Sequence, residues 1–289
     1  MPLRMKPARL LWVAAAALIG IGGVLVPGSR SAGASTSLPP TPKCGGVVLM
    51  KATGTQWVCT FDEEFNGKGL NTTRWKADLT SANGFHPGAA CAIRTHRTIS
   101  VAHGYLNLRV HRTAEPFVCA KPRGSFVSSW KAGSVHTRTF AQAYSRISVR
   151  AKFPQAHGIA GLQSAIWTYP SNMTVNKAIT GTREIDIAEA YSRWPDLVMP
   201  TVHNFLGGST ANCSVPNYGA RFHTYTVVWT PTRATFYYDG VQCFWAGRTG
   251  TSEPFLIALT QGLGTKSDID SPATPSPALM KVAWVRVWA

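Results

Sequence analysis

The sequence predicts an all-β protein folded as an antiparallel sandwich. Helical periodicity is hard to find along its 289 residues, whereas short runs rich in Val, Ile, Thr, Phe, Tyr and Trp recur between clusters of Gly, Pro, Asn and Asp. No strand–helix–strand rhythm links these runs, which argues against a parallel sheet. Many short strands separated by turn signals are typical of two packed antiparallel sheets.

Several strands and one turn are predicted individually. Asp239-Gly240 is a two-residue hairpin signal between the apolar runs 235–238 and 241–245. Alternation of apolar and polar residues predicts further strands at 105–110, 147–153, 224–229 and 281–288.

Residues 1–34 have the features of an export signal. Three basic residues precede an apolar run at 10–26, and Ala32-Gly33-Ala34 has the small-x-small form of a signal-peptidase site. The run is long enough for an uncleaved membrane anchor, but we expect cleavage because Pro27 and small residues follow at once. The prediction is a secreted, extracellular protein with no stable membrane partner after cleavage.

A short linker and one domain follow the leader. Residues 35–43 are rich in Pro, Ser and Thr, which is typical of a linker. Residues 44–289 have the length of one large all-β domain and contain no second linker or internal repeat.

The chain is strongly basic. Losing the four basic residues of the leader, which has no acids, lowers the formal net charge from +16 to +12. Such a charge suits an anionic polymer, a wall surface or a nucleic acid, or it serves solubility and retention near an anionic envelope. We favour the last reading and predict no nucleic-acid partner, because no run of five or more basic residues occurs.

The six cysteines all lie beyond the leader, and an even count in an exported chain predicts disulfides. No pair has C-x-x-C spacing, which argues against zinc or thioredoxin-like chemistry. Sequential pairing is the simplest of the 15 possible connectivities: Cys44–Cys59, Cys91–Cys119 and Cys213–Cys243.

Acidic residues are scarce, yet three of the 13 fall within six positions: Glu184, Asp186 and Glu189. Ile185 and Ile187 alternate with the first two acids, which predicts a strand with its acids on one face. Glu189 lies an odd number of residues from Glu184, so a regular strand would turn it to the other face. One β-bulge near Ile187 would bring all three acids to one surface.

Three carboxylates on one strand face repel one another, so at least one should have a raised pKa. A retaining glycosidase needs this arrangement, with one ionised nucleophile and one protonated acid. The alternatives from the spacing are a solvated acidic strand edge or a calcium site.

The segment 184–189 also resembles the E-x-D-x-x-E signature of glycoside hydrolase family 16, the laminarinase-like β-glucanases. Six further segments agree in order over roughly residues 60–288: 61–67 with Trp75, 149–154, 165–170, 201–204, 222–240 and 282–287. A lone E-x-D-x-x-E would be weak, whereas this colinear series is specific.

The resemblance implies a concanavalin-like jelly-roll sandwich and a single catalytic domain at 44–289. It also implies a retaining endo-hydrolase of the bulged subgroup that cleaves β-1,3- or β-1,3(4)-glucan, which we expect to be a monomer. By position, Glu184 would be the nucleophile, Glu189 the general acid/base, and Asp186 their partner, which can share a proton with Glu184.

Substrate-binding residues are predicted at three positions. Trp167, from its place in the family pattern, and Trp194, just after the acidic strand, are candidate stacking platforms for sugar rings. His203 either hydrogen-bonds the carboxylates or is a structural histidine. Three other tryptophans on alternating strands are predicted to be core residues: Trp229, Trp284 and Trp288.

The chain departs from the family pattern in three places. Gln163 stands at the first tryptophan position of the "GlWPAfW" segment, so one stacking platform is lost or moved. Ala283 replaces an aspartate that helps to hold a structural calcium, so the ion is in doubt even though Glu63 or Glu64 could offer an oxygen. The implied chemistry itself requires no cofactor. Residues 171–182 form an insertion that could extend a loop over the cleft.

Three alternatives stay open. The same chemistry could act on another β-linked polymer, galactan-type or anionic. The chain could instead be a non-catalytic carbohydrate-binding lectin, although a lectin has no need of three clustered acids. A nucleic-acid-binding protein rests on charge alone and predicts strongly salt-dependent binding.

Overall fold

Two packed antiparallel sheets make up most of the chain in the computed structural model, which describes residues 43–173, 183–204, 207–247 and 252–289. The leader, nearly all of the linker and most of the insertion at 171–182 therefore lie outside the described residues. No helix in the described part of the chain has the length and apolar character needed to cross a membrane.

The strands are β1 (Cys59–Glu63), β2 (Trp75–Ala77), β3 (Cys91–Ala92), β4 (Ile99–Ala102), β5 (Tyr105–Ala120), β6 (Ser125–Thr137), β7 (Arg146–Lys152), β8 (Leu162–Pro170), β9 (Glu184–Tyr191), β10 (Leu197–Asn204), β11 (Gly207–Thr210), β12 (Cys213–Ser214), β13 (His223–Trp229), β14 (Arg233–Tyr238), β15 (Val241–Gly247), β16 (Phe255–Leu263) and β17 (Ala278–Trp288). The helices are short: α1 (Thr80–Asn83) and two 3-10 turns, Lys43–Gly46 and Lys266–Asp268.

The front sheet has the order β2, β6, β16, β8, β9, β10, β11. The back sheet has the order β4, β5, β17, β7, β13, β14, β15, with β1 beside the C-terminal half of β17. Apart from the short parallel pair β3–β6, these pairings are antiparallel. The predicted fold class is confirmed.

The core lies between the sheets. Ile166 and Ile187 of the front sheet belong to the same buried cluster as Val149 and Trp229 of the back sheet. The ring of Trp229 packs on that of Phe255, with centroids 4.7 Å apart. Burying such rings removes large apolar surfaces from water and stabilises the packing of one sheet on the other.

The predicted core role is confirmed for Trp229 and Trp288, which are buried, but it is wrong for Trp284. The register of β17 against β7 shifts between Val282 and Trp284. This irregularity breaks the alternation, so Trp284 is only half-buried and lies 4.3 Å from the guanidinium of Arg286.

Local sequence signals are confirmed in several places. The four alternating runs lie within β5, β7, β13 and β17, apart from the last residue of 147–153. The Asp239-Gly240 turn joins β14 to β15, and both residues have positive φ, 48° and 84°. Positive φ at both positions matches the twist of a hairpin, and Asp and Gly tolerate it best.

All three disulfides pair sequentially, which is the simplest of the connectivities that the sequence left open: Cys44–Cys59, Cys91–Cys119 and Cys213–Cys243. Each closes a loop of 15 to 30 residues, a constraint that typically contributes about 2–4 kcal/mol.

Candidate active site

The bulge predicted in β9 is present and determines the site. Against β8, residues Ala188 and Asp186 oppose consecutive positions, so Ile187 has no residue opposite it. The register against β10 shifts at the same place. Ile187 and Ala188 consequently both face the core, and the acids on either side of them share the other face. We call Glu184, Asp186 and Glu189 the β9 acids.

A hydroxyl group from the back sheet supports the bulge. The side chain of Tyr238 donates a hydrogen bond of 2.8 Å to the carbonyl oxygen of Ile187. A bulge leaves backbone groups without a ladder partner, and an unpaired buried carbonyl costs free energy. Tyr238 satisfies this carbonyl from across the core.

The β9 acids line one cavity of about 150 Å³ on the front sheet. Its other lining residues come from β8, from β16 and the loop after it, and from the segment before β3: Phe85, His86, Pro87, Gly88, Gln163, Ala165, Trp167, Thr260 and Thr265. Gly88 allows this wall to approach β16 closely, because a Cβ there would lie 2.5 Å from the carbonyl oxygen of Leu263.

Burial raises the pKa of each β9 acid above its ordinary value, 4.5 for glutamate and 3.8 for aspartate. The charge of Asp186 raises the pKa of Glu184 further, and the charge of Glu189 does the same for Asp186. In the described part of the chain no lysine or arginine forms an ion pair with them. The cluster therefore holds protons well above the pH at which free carboxyl groups lose them.

Asp186 is the most buried of the three and has two partners. Its Oδ2 lies 3.0 Å from Nε2 of His203, a hydrogen bond in which the ring donates when Asp186 is ionised. Its carboxyl group also interacts with that of Glu184, and this interaction raises the pKa of Glu184. His203 therefore contacts the acids, which is one of the two roles that the sequence analysis considered for it.

Glu189 is held by neutral donors. Its Oε1 accepts a hydrogen bond of 2.6 Å from Nε2 of Gln163 and one of 3.2 Å from the hydroxyl of Tyr191. Both bonds favour the ionised form and oppose the effect of burial on the pKa of Glu189.

The two predicted stacking platforms lie in different environments. Trp167 lines the cavity but is only 3% exposed, because its ring packs on Phe85 and Tyr169. Its Nε1 donates to Thr260. Trp194 is 36% exposed and stands outside the cavity lining, with its ring 5.9 Å from that of Tyr191. The available ring surface is therefore larger at Trp194, and binding by either residue stays a prediction.

Sequence reasoning missed two residues at this site, Gln163 as a polar contact and Tyr191. Once a bulge is placed at Ile187, Tyr191 lies two residues beyond Glu189 and must share its face. The contact of Gln163 depends on the β8–β9 register, in which Gln163 lies opposite Tyr191, and no local pattern encodes that register.

The residues suggested for a structural calcium do not fit one. Glu63 accepts a hydrogen bond from the indole of Trp75, and Glu64 accepts two from the guanidinium of Arg286, at 2.8 and 2.7 Å. Calcium takes six to eight oxygen ligands, whereas here a cation already sits among the carboxylates and Ala283 offers no side-chain oxygen.

A family model described as "Glycosyl hydrolases family 16" matches residues 89–255, more than half of the chain. This chain belongs to that family. The matched region contains the β9 acids and, with them, half of the residues that line the cavity.

Similar proteins include two curated relatives. Glucan endo-1,3-beta-glucosidase A1 of Niallia circulans is 26% identical over 288 residues, which covers 88% of this chain and 39% of the relative. Keratan-sulfate endo-1,4-beta-galactosidase of Sphingobacterium multivorum is 30% identical over 176 residues, covering 55% of this chain and 40% of the relative. The chain thus spans about two fifths of the length of these relatives.

Among solved structures, the endo-beta-1,3-glucanase of Pyrococcus furiosus superposes with a TM-score of 0.68 at 22% identity. The match covers 84% of this chain and 97% of that one. At this identity the likeness shows a shared fold, and the fold is the predicted jelly-roll sandwich.

Proposed function

We propose that the chain is a secreted retaining endo-glycoside hydrolase that cleaves β-1,3- or β-1,3(4)-glucan. The observation that carries the proposal is the β9 bulge, which gathers three carboxyl groups on one cavity wall, where no lysine or arginine of the described residues pairs with them. Membership of the family supports the reaction class, and the endo-glucanase relatives support the polymer. The three disulfides support secretion.

The first step forms a covalent glycosyl-enzyme. Glu184 attacks the anomeric carbon as a carboxylate, while the proton of Glu189 passes to the glycosidic oxygen and the bond between that carbon and oxygen breaks. Asp186 keeps the proton that it shared with Glu184, so the nucleophile leaves the pair in its ionised form.

The second step restores the enzyme. Glu189, now a carboxylate, takes a proton from water as the water oxygen attacks the anomeric carbon. The ester to Glu184 breaks and the carboxylate is regenerated. Two inversions at one carbon leave its configuration unchanged. The proposal includes membership of the bulged E-x-D-x-x-E subgroup, which the bulge at Ile187 supports.

A galactan-type or anionic polymer is the second candidate substrate. Gln163 stands where many laminarinases have a stacking tryptophan, and one similar protein is named for cleavage of keratan sulfate. The net charge of the chain would favour a sulfated polymer.

Product release from laminarin, lichenan, agarose, carrageenan and xyloglucan by the wild type and by Glu184→Gln tests both candidates. We expect oligosaccharides from the β-1,3-linked glucans with the wild type and none with the variant. NMR of the first products should show the β-anomer. If products are released only from a galactan, the proposed substrate is wrong and the proposed reaction stands. If both proteins bind a polymer equally and neither cleaves it, the chain is a carbohydrate-binding lectin and not a hydrolase.

A further inference from the structure

Gln163 and Glu189 belong to a closed triangle of polar atoms. Nε2 of Gln163 lies 2.6 Å from Oε1 of Glu189 and 3.1 Å from the hydroxyl oxygen of Tyr191, and that hydroxyl lies 3.2 Å from the same Oε1. One amide group thus donates to both other members. Because its second N–H occupies a lone pair of the tyrosine oxygen, the hydroxyl proton is directed to Glu189.

Both donors end on the same carboxyl oxygen. Among the described residues no hydrogen bond reaches Oε2 of Glu189, although Glu189 lines the cavity. The carboxyl group is therefore fixed through Oε1 and leaves Oε2 for a ligand.

The backbone under Gln163 is itself held in place. Its carbonyl oxygen accepts a hydrogen bond of 3.3 Å from Nε2 of Gln261, whose Oε1 accepts one of 2.6 Å from Ser164. Gln261, a residue of β16, is fully buried. These hydrogen bonds fix the backbone of Gln163, and a fixed backbone gives its side chain a defined position.

We propose that Gln163 is a positioning residue that anchors Glu189 through Oε1, so that Oε2 carries and delivers the proton to the glycosidic oxygen. The inference rests on the proposed function for the role of Glu189 as the acid. A tryptophan at position 163 would offer a ring face for stacking on sugar and a single N–H donor. Gln163 lacks the ring but has two N–H donors.

The physical basis is that an N–H donor binds a carboxylate more strongly than a carboxylic acid. The bond therefore lowers the pKa of Glu189 against the effect of burial, and its loss raises that pKa. A higher pKa makes Glu189 a weaker acid toward a leaving oxygen. The other titratable groups near Glu189 are Glu184, Asp186 and Tyr191 on β9, His203 on β10, Tyr238 on β14 and His86 of the cavity wall.

Gln163→Met tests the anchor, because it keeps the length of the side chain and removes the donor. The same substitution at Gln242, an exposed residue of β15, is the matched control. The chain has six glutamates, so δ-¹³C-glutamate labelling gives few enough NMR signals for each to be titrated. Glu189→Gln identifies the signal of Glu189. The midpoint of that signal should rise in Gln163→Met and stay unchanged in Gln242→Met.

Kinetics with aryl β-laminaribiosides supply the second readout. A 2,4-dinitrophenyl leaving group needs no proton, whereas phenol does. In Gln163→Met we expect kcat/KM for the phenyl glycoside to fall about tenfold or more and that for the dinitrophenyl glycoside to stay within about twofold. The alkaline limb of the kcat/KM profile should move to higher pH, because the protonated form of Glu189 persists further.

Several outcomes would overturn the proposal. An unmoved Glu189 midpoint would show that Gln163 does not hold the carboxylate. An equal loss on both glycosides with a raised KM would make Gln163 a sugar-binding residue instead. If Gln163→Met does not fold, Tyr191→Phe removes the other donor and should raise the midpoint by a smaller amount. Should the wild type cleave no glycoside, the proposed function fails, and the NMR titration still decides whether the anchor exists.

Discussion

Two clusters of three acidic residues lie in this molecule, and their surroundings differ in charge. At the end of β1, the carboxylates of residues 62–64 lie beside two arginines: Arg286 contacts Asp62 and Glu64, and Arg74 contacts Glu63. The β9 acids have no such partner in the described residues, only an imidazole and neutral donors.

The two clusters therefore have different roles. Arg286 and Arg74 offset two of the three negative charges of the first cluster, and Arg286 joins β1 to β17, so these charges serve the fold. The β9 acids must share protons because burial and mutual repulsion disfavour three negative charges. A cluster of this kind costs stability, and such clusters are typical of functional sites.

The largest expected effect comes from removing a β9 acid. Glu189→Gln should lower kcat/KM on polysaccharide about 10²–10⁴-fold, because the leaving oxygen loses its proton donor. The free energy of unfolding should stay the same or rise, since the buried cluster loses one ionisable carboxyl group. Activity assays and urea denaturation measure the two quantities. If Glu189→Gln loses stability and keeps activity, Glu189 serves the fold and not the reaction.

Removing an acid of the other cluster should have the opposite effect. Glu64→Gln weakens two hydrogen bonds to Arg286 and should cost up to about 1 kcal/mol of unfolding free energy, because the Glu64 side chain is 36% exposed. Its kcat/KM should stay within about twofold of the wild type, because Glu64 does not line the cavity. Urea denaturation with a parallel assay on the same substrate checks both. A large loss of activity at full stability would mean that the β1 acids also serve chemistry.

The pH dependence of stability should separate the clusters further. A carboxyl group with a raised pKa in the folded state contributes stability below its ordinary pKa, and that contribution is lost as pH rises through the folded pKa. Asp186→Asn should therefore flatten the fall in unfolding free energy above about pH 4 and raise stability at pH 7. The amide oxygen that the substitution introduces can still accept the hydrogen bond from His203, so the contact itself is kept.

Denaturant titrations from pH 4 to pH 8 would measure this slope. Glu115→Gln, at an exposed position of β5, is the control and should leave the slope unchanged. An unaltered slope in Asp186→Asn would show that the β9 acids are not what makes stability fall with pH.

The smallest expected effect is that of chelation. Because Arg286 already lies between carboxylates and Ala283 supplies no oxygen, EDTA should leave the thermal midpoint unchanged. Differential scanning calorimetry with and without added calcium checks this. A rise in the thermal midpoint on adding calcium would show that the protein binds this ion, and the prediction would be wrong.

The order of the disulfides could not be fixed from the sequence, because six cysteines allow 15 pairings. The fold class and the shared face of the β9 acids, by contrast, could be predicted from it. These features follow from local rules: period-2 alternation, turn residues with positive φ, and the parity of positions 184, 186 and 189. Even the bulge could be predicted, because only an extra residue puts Glu189 beside Asp186. Local rules failed at Trp284, where a second bulge in β17 reverses the parity that the alternation suggested.

Only the tertiary structure decided the protonation environment of the site. Gln163 reaches Glu189 because β8 pairs with β9 in one register, and Tyr238 reaches Ile187 because the back sheet packs beneath the bulge. It also decided that Trp167 is nearly covered and that Arg286 lies beside Glu64. The physical reason is that pKa values and hydrogen bonds depend on neighbours distant in sequence, which periodicity within a strand does not encode.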